Sequence, residues 1–181
     1  MERRERCFRN LTFVLFTLFS LWISLQFLAP LAISENSVQD LSGLVAVSDN
    51  DYTINNMDFP WNLVYSAGDR LCHQKAERSF FVNDNQMPFC SRCTAIWLGL
   101  AVGLGFMVFY RIELNERFVF AILIGLVPIG ADGVGQLLGF WESTNAIRVI
   151  TGLLIGVLCG VAIGVIMDEI KTLNIFKNNK K

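Results

Sequence analysis

Long apolar stretches alternate with short polar segments along this chain of 181 residues. Four of the apolar stretches approach the ~20 residues that a helix needs to cross a bilayer. They cover residues 11–33, 94–110, 118–140 and 146–167. One such stretch is compatible with a core helix of a soluble protein, but four in a short chain are not. The pattern therefore predicts an all-α, polytopic membrane helix bundle with about four spans.

Composition supports this prediction. Apolar residues make up 53% of the chain, and charged residues only 17%, below the ~25% of ordinary globular proteins. Basic residues do not form a stripe with interleaved aromatic residues, so no nucleic-acid partner is expected. Membrane lipids are the expected partners.

The first apolar stretch follows a cluster of arginines at residues 3, 4, 6 and 9, as in a signal peptide. It is longer than the ~7–15 apolar residues of a signal peptide, and no small-x-small cleavage site follows it. Residues 1–33 are therefore interpreted as an uncleaved transmembrane anchor.

Basic residues flank the spans unevenly. They precede the first span, follow the second at Arg111 and Arg117, and fill the tail 168–181. The loop 34–93 instead has eight acidic residues and four basic ones. By the positive-inside rule, we expect a multi-pass protein of the cell membrane with both termini cytoplasmic and this loop extracytoplasmic.

The outer loop divides into two parts. Residues 34–58 are polar and predict an extracytoplasmic linker or a loosely docked segment. From residue 59 onward, apolar positions follow helical spacing through residue 75, which predicts a short amphipathic helix on the membrane surface. Residues 79–82 and 86–89 flank Asn83-Asp84-Asn85 and predict a small hairpin. Residues 59–167 are thus expected to combine this loop with a three-span membrane domain.

Glycines recur every fourth residue in two spans, which predicts close approach of helices. Packing within one bundle is the simpler interpretation, and a homo-oligomer is the alternative. The positions are Gly99 and Gly103 in the second span and Gly152, Gly156, Gly160 and Gly164 in the fourth.

The third span contains Asp132 and, four residues later on the same face, Gln136. An unpaired charge in a span costs at least ~2.5 kcal/mol, so an ionisable residue there is a candidate functional group. We expect Asp132 to act as a general base or an additional metal ligand. The alternative is a structural ion pair with Arg148.

The turn before the fourth span carries good helix-capping residues followed by an arginine. Hydroxyl, amide and guanidinium groups at a helix N-terminus are typical of anion binding. The predicted anion-binding or substrate-binding residues are Arg78, Arg92, Gln136, Ser143, Thr144, Asn145 and Arg148.

Three cysteines and the only histidine lie in the outer loop. Cys90-x-x-Cys93 has the spacing of half a zinc site, which Cys72 or His73 would complete. Zinc is the predicted cofactor, with His73 as a second catalytic candidate. Two alternatives remain open: thiol–disulfide chemistry with Cys90 activated at a helix start, and a passive disulfide.

Five motifs occur in a fixed order. They are C-H-Q (72–74), E-R-S-F (77–80), M-P-x-C-x-R-C (87–93), D-G-x-x-Q (132–136) and S-T-N-x-x-R-x-x-T-G (143–152). On these motifs, residues 60–165 resemble a family of small prokaryotic, often archaeal, polytopic membrane proteins of unknown function. Thr94-Ala95 stands where members often have Thr-Gly. The resemblance supports the fold and the choice of residues, and it implies no agreed activity.

The predicted function is therefore an integral membrane protein with a zinc-like Cys/His site at the outer membrane face, acting on or binding an anionic or lipid-linked substrate. A thiol–disulfide membrane protein and a non-enzymatic scaffold or transporter are the alternatives.

Overall fold

The computed structural model describes the backbone of residues 2–41, 45–110 and 112–178, and the side chains of 11–41, 45–110 and 112–170. Six helices dominate it: α1 (Glu2–Ala32), α2 (Asp51–Asn55), α3 (Trp61–Leu71), α4 (Ser91–Phe109), α5 (Glu116–Leu137) and α6 (Asn145–Asn178). A 3₁₀ turn (Ala76–Arg78) precedes two short antiparallel strands, β1 (Phe81–Val82) and β2 (Asn85–Gln86).

Four of these helices contain segments that are long and apolar enough to cross a membrane. The segments are Leu11–Ala32, Ser91–Phe109, Glu116–Leu137 and Asn145–Ile170, with mean hydropathies of 2.0, 1.7, 2.0 and 2.7. The prediction of an all-α polytopic membrane protein with about four spans is confirmed. Helix α6 continues to Asn178, beyond the predicted end at residue 167, because backbone hydrogen bonding does not stop where the apolar sequence stops.

Two compact units make up the chain. The helical unit comprises Met1–Ser20, Ile96–Glu142 and Leu153–Lys181, and the thiol unit comprises Leu21–Ala95 and Ser143–Gly152. The predicted division at residues 33, 58 and 167 stays a prediction.

Glycines bring α4 and α6 together in the helical unit. A Cβ built on Gly99 would lie 2.8 Å from the Cα of Gly156, and one on Gly103 would lie 3.0 Å from the Cα of Gly160. The two glycine stripes therefore face each other within one chain, as the simpler interpretation expects. An oligomer through these stripes stays a prediction, and these contacts already occupy the glycines.

The thiol unit has its own apolar core. Its buried residues come from the end of α1, the segment before α2, and α2 and α3: Ala29, Val38, Leu41, Ile54, Val64 and Tyr65. Three of these residues, Val38, Leu41 and Ile54, belong to the segment 34–58. These apolar side chains therefore dock an otherwise polar segment on the core of the thiol unit.

The amphipathic helix and the hairpin both form, with shifted boundaries. Helix α3 ends at Leu71, short of the predicted residue 75, because Cys72 adopts an extended conformation. The hairpin pairs Val82 with Asn85, so its turn contains only Asn83 and Asp84. Both have φ near +53°, which two-residue hairpin turns favour and which asparagine and aspartate tolerate.

The predicted sidedness rests largely on basic residues whose side chains lie outside the described residues, and it stays a prediction. These residues are Arg3, Arg4, Arg6, Arg9, Arg111, Lys171, Lys177, Lys180 and Lys181.

Candidate metal centre

The C-terminus of α3 presents the first thiol. The buried face of this helix includes Val64, Tyr65 and Gly68, as its amphipathic pattern requires. At the helix end, the N–H of Cys72 donates to the carbonyl of Gly68 at 2.9 Å. The chain then turns into an extended conformation, which leaves Cys72 2% exposed.

The other two thiols lie at the N-terminus of α4. The carbonyl of Cys90 accepts a hydrogen bond from the N–H of Thr94 at 3.0 Å, so Cys90 precedes the first helical turn and Cys93 lies within it. The Thr94 hydroxyl also donates to the carbonyl of Phe89 at 3.3 Å. These two bonds fix the helix start and with it the relative positions of the two sulfur atoms.

Contacts with the backbone of Pro88 and Cys90 hold Cys72 close to the start of α4. The side-chain Nε2 of Gln74, which is fully buried, donates to the carbonyl of Pro88 at 2.7 Å. Gly68 has no side chain to separate α3 from the same carbonyl. The N–H of Cys90 then donates to the Sγ of Cys72 at 3.3 Å.

The three sulfur atoms form what we call the thiol cluster: Cys72, Cys90 and Cys93, with their Sγ atoms within 4.8 Å of one another. Sulfurs that share one tetrahedral zinc at ~2.3 Å lie roughly 3.8 Å apart, so small side-chain movements suffice for ligation. All three cysteines are free thiols, Cys72 buried and the other two half-buried. His73 is exposed and, among the described residues, is not a member of the cluster.

Hydrogen bonds make the cluster's thiols unequal in acidity. The Cys72 and Cys93 thiols donate toward the sulfur of Cys90 and lower its pKa, and the contribution of Cys72 is the larger. The backbone N–H groups of Cys93 and Arg92 lower it further. The same interaction with Cys90 raises the pKa of Cys72. A thiolate at Cys90 is the form that binds metals and attacks electrophiles.

A group that we call the polar corner connects α4 and α6: Ser91, Asn145 and Arg148. The Oδ1 of Asn145 accepts hydrogen bonds from the Ser91 hydroxyl at 3.0 Å and from an Arg148 guanidinium nitrogen at 3.2 Å. Ser91 directly follows Cys90 in the chain, and Arg148 is only 6% exposed. The structure therefore brings two predicted anion-binding residues to the α4 start that carries two thiols.

The family model "Predicted membrane protein (DUF2085)" matches residues 72–163 of this chain. The chain belongs to this family. The matched region runs from Cys72 through the thiol cluster and the polar corner into α6, so the residues of the candidate centre lie inside the DUF2085 region.

Two uncharacterized archaeal proteins are similar to this chain over about half of its length. An uncharacterized protein from Methanocaldococcus jannaschii is 35% identical over 96 residues, which cover 51% of this chain and 61% of that protein. An uncharacterized protein from Methanothermobacter thermautotrophicus is 36% identical over 87 residues, or 48% of this chain and 78% of that protein. The chain thus spans less than two thirds of the first relative. No solved structure matches this chain.

Four other predicted anion-binding residues lie in the DUF2085 region and are not part of the polar corner. Arg92 is half-buried at the start of α4, and the half-buried Arg78 has its Nε 3.8 Å from a carboxylate oxygen of Glu77. Ser143 is buried, whereas Thr144 is exposed and its hydroxyl accepts the N–H of Ile147 at 3.4 Å. Thr144 therefore caps α6, and anion binding by these four residues stays a prediction.

In the helical unit, Asp132 is 5% exposed on α5. Gln136 donates its Nε2 to the carboxylate of Asp132 at 3.0 Å, so the two predicted residues do share a face. The indole N–H of Trp141 donates to the other carboxylate oxygen at 3.4 Å. These bonds stabilise a carboxylate in an apolar segment; its proposed roles as base or ligand stay predictions.

Buried amides that hold the thiol unit together were not predicted from the sequence. Gln86 is fully buried: its Oε1 accepts the N–H of Leu41 at 2.9 Å and its Nε2 donates to the carbonyl of Gln74 at 2.6 Å. Its carbonyl accepts the Tyr65 hydroxyl at 2.8 Å. The signal was a glutamine next to the M-P-x-C-x-R-C motif.

Asn85 fastens the end of α1 to the hairpin in the same way. Its Oδ1 accepts the N–H groups of Ser37 and Val38 at 2.8 and 3.0 Å. Its Nδ2 donates to the carbonyls of Pro30 and Ser34 at 3.0 and 2.9 Å. Since carbonyls at a helix C-terminus lack intrahelical partners, Asn85 both caps α1 and supports the strand next to the thiols.

Proposed function

We propose that this protein is an integral membrane metal-binding protein whose thiol cluster holds a zinc-type ion. One observation carries the proposal: three free thiols from two distant parts of the sequence lie with their Sγ atoms within 4.8 Å of one another. Thiolate ligands favour zinc over hard cations such as magnesium. Hydrogen bonds that favour a thiolate at Cys90 support the same assignment.

The cluster offers three protein ligands, so a fourth position would be left for water, substrate or His73. Three protein ligands and one exchangeable position are the arrangement of catalytic zinc sites. When bound, such an ion supplies Lewis-acid chemistry or a metal-bound nucleophile. Within the proposal, His73 is the candidate for proton transfer.

We expect about one zinc per chain when the protein is purified without chelators, measured by elemental analysis. Cys72→Ser, Cys90→Ser and Cys93→Ser should each reduce the zinc content at least tenfold, because a neutral hydroxyl is a much weaker zinc ligand than a thiolate. Cys159→Ser is the matched control, since Cys159 lies on α6 outside the cluster, and it should keep full zinc. Wild-type protein without stoichiometric metal, with its thiols intact, would contradict the proposal.

The proposed substrate is an anionic or lipid-linked molecule bound through the polar corner. Arg148 supports this part of the proposal because its guanidinium is buried and shares the Asn145 amide with Ser91. A buried guanidinium pairs strongly with phosphate or carboxylate groups.

Arg148→Gln is therefore expected to weaken the binding of dodecyl phosphate in detergent at least tenfold, measured by titration calorimetry. Truncating one partner of a buried charged pair costs ~2–5 kcal/mol, so a loss of affinity larger than tenfold is also consistent with the proposal. Arg70→Gln is the control: Arg70 is exposed on α3 and donates to the Ser48 hydroxyl. Equal binding by wild type and Arg148→Gln would exclude the polar corner as the anion site.

Thiol–disulfide exchange is the second candidate function, favoured by the position of Cys90 at the start of α4 with backbone N–H groups on its sulfur. This function predicts a protein that is isolated free of metal, with Cys90 alkylated faster than Cys72 and Cys93 at neutral pH. The zinc analysis separates the two functions, because a zinc-filled cluster protects all three thiols from alkylation.

A further inference from the structure

A cavity of about 430 Å³ lies in the thiol unit, outside the DUF2085 region and without any residue of the thiol cluster in its lining. One wall is formed by the end of the first span, Ala32 and Ile33. The opposite wall comes from α2 and the start of α3, and includes Tyr52 and Trp61. The cavity therefore opens where the apolar sequence of α1 gives way to polar chain, the level at which lipid headgroups lie.

The lining combines aromatic faces with hydroxyl and amide groups. Polar lining residues include Ser34, Thr53 and Asn56. Among the residues that the structure describes, Asp58 is the only charged residue of the lining, and no arginine, lysine or histidine contributes to it. The described lining therefore offers none of the cations that phosphate and sulfate groups require. This chemistry disfavours an anionic ligand, in contrast to the polar corner.

The two aromatic residues of the lining, Trp61 and Tyr52, differ in how far they are buried by the rest of the chain. Trp61 is half-buried and packs against the core of the thiol unit, so it forms a rigid wall. Tyr52 is 88% exposed, and packing within the described chain therefore does not account for a large aromatic side chain here. Tyr52 lies on the short helix α2, and Asn56 at the end of this helix donates its Nδ2 to the Tyr52 carbonyl at 2.8 Å.

We propose that this cavity binds the uncharged, polyhydroxylated headgroup of a membrane glycolipid. Sugar rings present apolar C–H faces that pack on aromatic rings, and their hydroxyls donate to carboxylate and amide oxygens such as those of Asp58 and Asn56. The volume falls within the ~300–1,000 Å³ of small-ligand sites. The position at the end of α1 places the acyl chains of such a lipid alongside the apolar span.

The test uses the full-length protein, purified in a detergent without a sugar headgroup and transferred to phosphatidylcholine nanodiscs. The discs contain equal small fractions of glucosyl-diacylglycerol and phosphatidylglycerol, and native mass spectrometry counts the lipids that remain bound after release. We expect preferential retention of the glucosyl lipid. Tyr52→Ala and Asp58→Asn should each reduce that retention about tenfold, without changing the retention of phosphatidylglycerol.

Two control variants isolate the cavity. Leu63→Ala changes a residue that is exposed on α3 and does not line the cavity, and it should retain the lipid as wild type does. The zinc content of every variant is measured in parallel, so that failure of the metal proposal and failure of this one are distinguishable. Equal retention of both lipids, or full retention by the Tyr52→Ala, Asp58→Asn double variant, would overturn the proposal. Equally tight binding of free glucose would assign the cavity to soluble sugars and overturn the lipid assignment.

Discussion

Replacement of Gly68 by alanine is expected to separate the thiols and to lower the thermal midpoint of the protein. A Cβ at this position would overlap the carbonyl oxygen of Pro88, and it would lie 2.8 Å from the carbonyl carbon and 2.6 Å from the Nε2 of Gln74. The clash therefore falls on the hydrogen bond between Gln74 and Pro88 that holds Cys72 close to Cys90.

Two costs combine in this variant. Overpacking a well-filled interior costs ~1–3 kcal/mol, and a buried polar group that loses its partner costs a further ~1–3 kcal/mol. We expect a fall of several degrees in the midpoint in detergent, together with a zinc content below a tenth of the wild-type value.

Gly133→Ala is the matched control for Gly68→Ala. A Cβ on Gly133 would have no neighbouring atom of the described residues within 4 Å, so alanine should leave stability unchanged or raise it by up to ~1 kcal/mol through its better helix propensity. Gly68→Ala protein with the midpoint and the zinc content of wild type would show that the contact between α3 and Pro88 does not position the thiols.

Local sequence signals identified the spans and half of the candidate centre. An apolar run of ~20 residues has few structural alternatives to a membrane helix, so the helices α4, α5 and α6 follow directly from the pattern. The Cys90-x-x-Cys93 spacing is equally local, since both thiols belong to one helix start. The placement of Cys72 is not local, because it depends on Gln74 reaching the Pro88 carbonyl.

The contacts that dock residues 34–58 could not be predicted from the sequence for a related reason. Polar residues dominate this segment, and the buried apolar residues among its described positions, Val38, Leu41 and Ile54, follow no helical or strand period. What docks them is the pair of amides Asn85 and Gln86, which bond to backbone groups 45 to 51 residues earlier in the chain. A glutamine or asparagine in a sequence gives no sign of a partner so distant.

These buried amides also bear on the choice between metal and disulfide chemistry. Gln86 and Gln74 are fully buried and connect the strand, the segment after Cys72 and the residue two positions before Cys90. A network in which buried polar groups are bonded to backbone rigidifies its surroundings. Metal sites gain affinity from ligands that are held in place, whereas thiol–disulfide exchange requires sulfurs that move into bonding distance. The rigid setting therefore favours the metal proposal.

Replacement of Gly156 by alanine is the second variant with a large expected effect. A Cβ on Gly156 would overlap the carbonyl oxygen of Ile96 and lie 2.9 Å from the Cα of Gly99. Both obstacles are backbone atoms, so a rotamer change cannot relieve the clash and α4 and α6 must move apart. Since van der Waals contact between backbones stabilises helix pairs in lipid, we expect a loss of ~1–3 kcal/mol and a lower thermal midpoint.

Gly130→Ala tests whether the loss comes from this contact rather than from any glycine substitution in a span. Gly130 lies on α5, and in the part of the chain that the structure describes no atom lies within 4 Å of its built Cβ, so this variant should be as stable as wild type. The zinc content distinguishes loss of helix packing from loss of the metal centre. Gly156 belongs to the helical unit and the thiols to the thiol unit, so folded Gly156→Ala protein at low temperature should retain its zinc. An unchanged midpoint for Gly156→Ala would show that α4 and α6 are not packed backbone to backbone at this position.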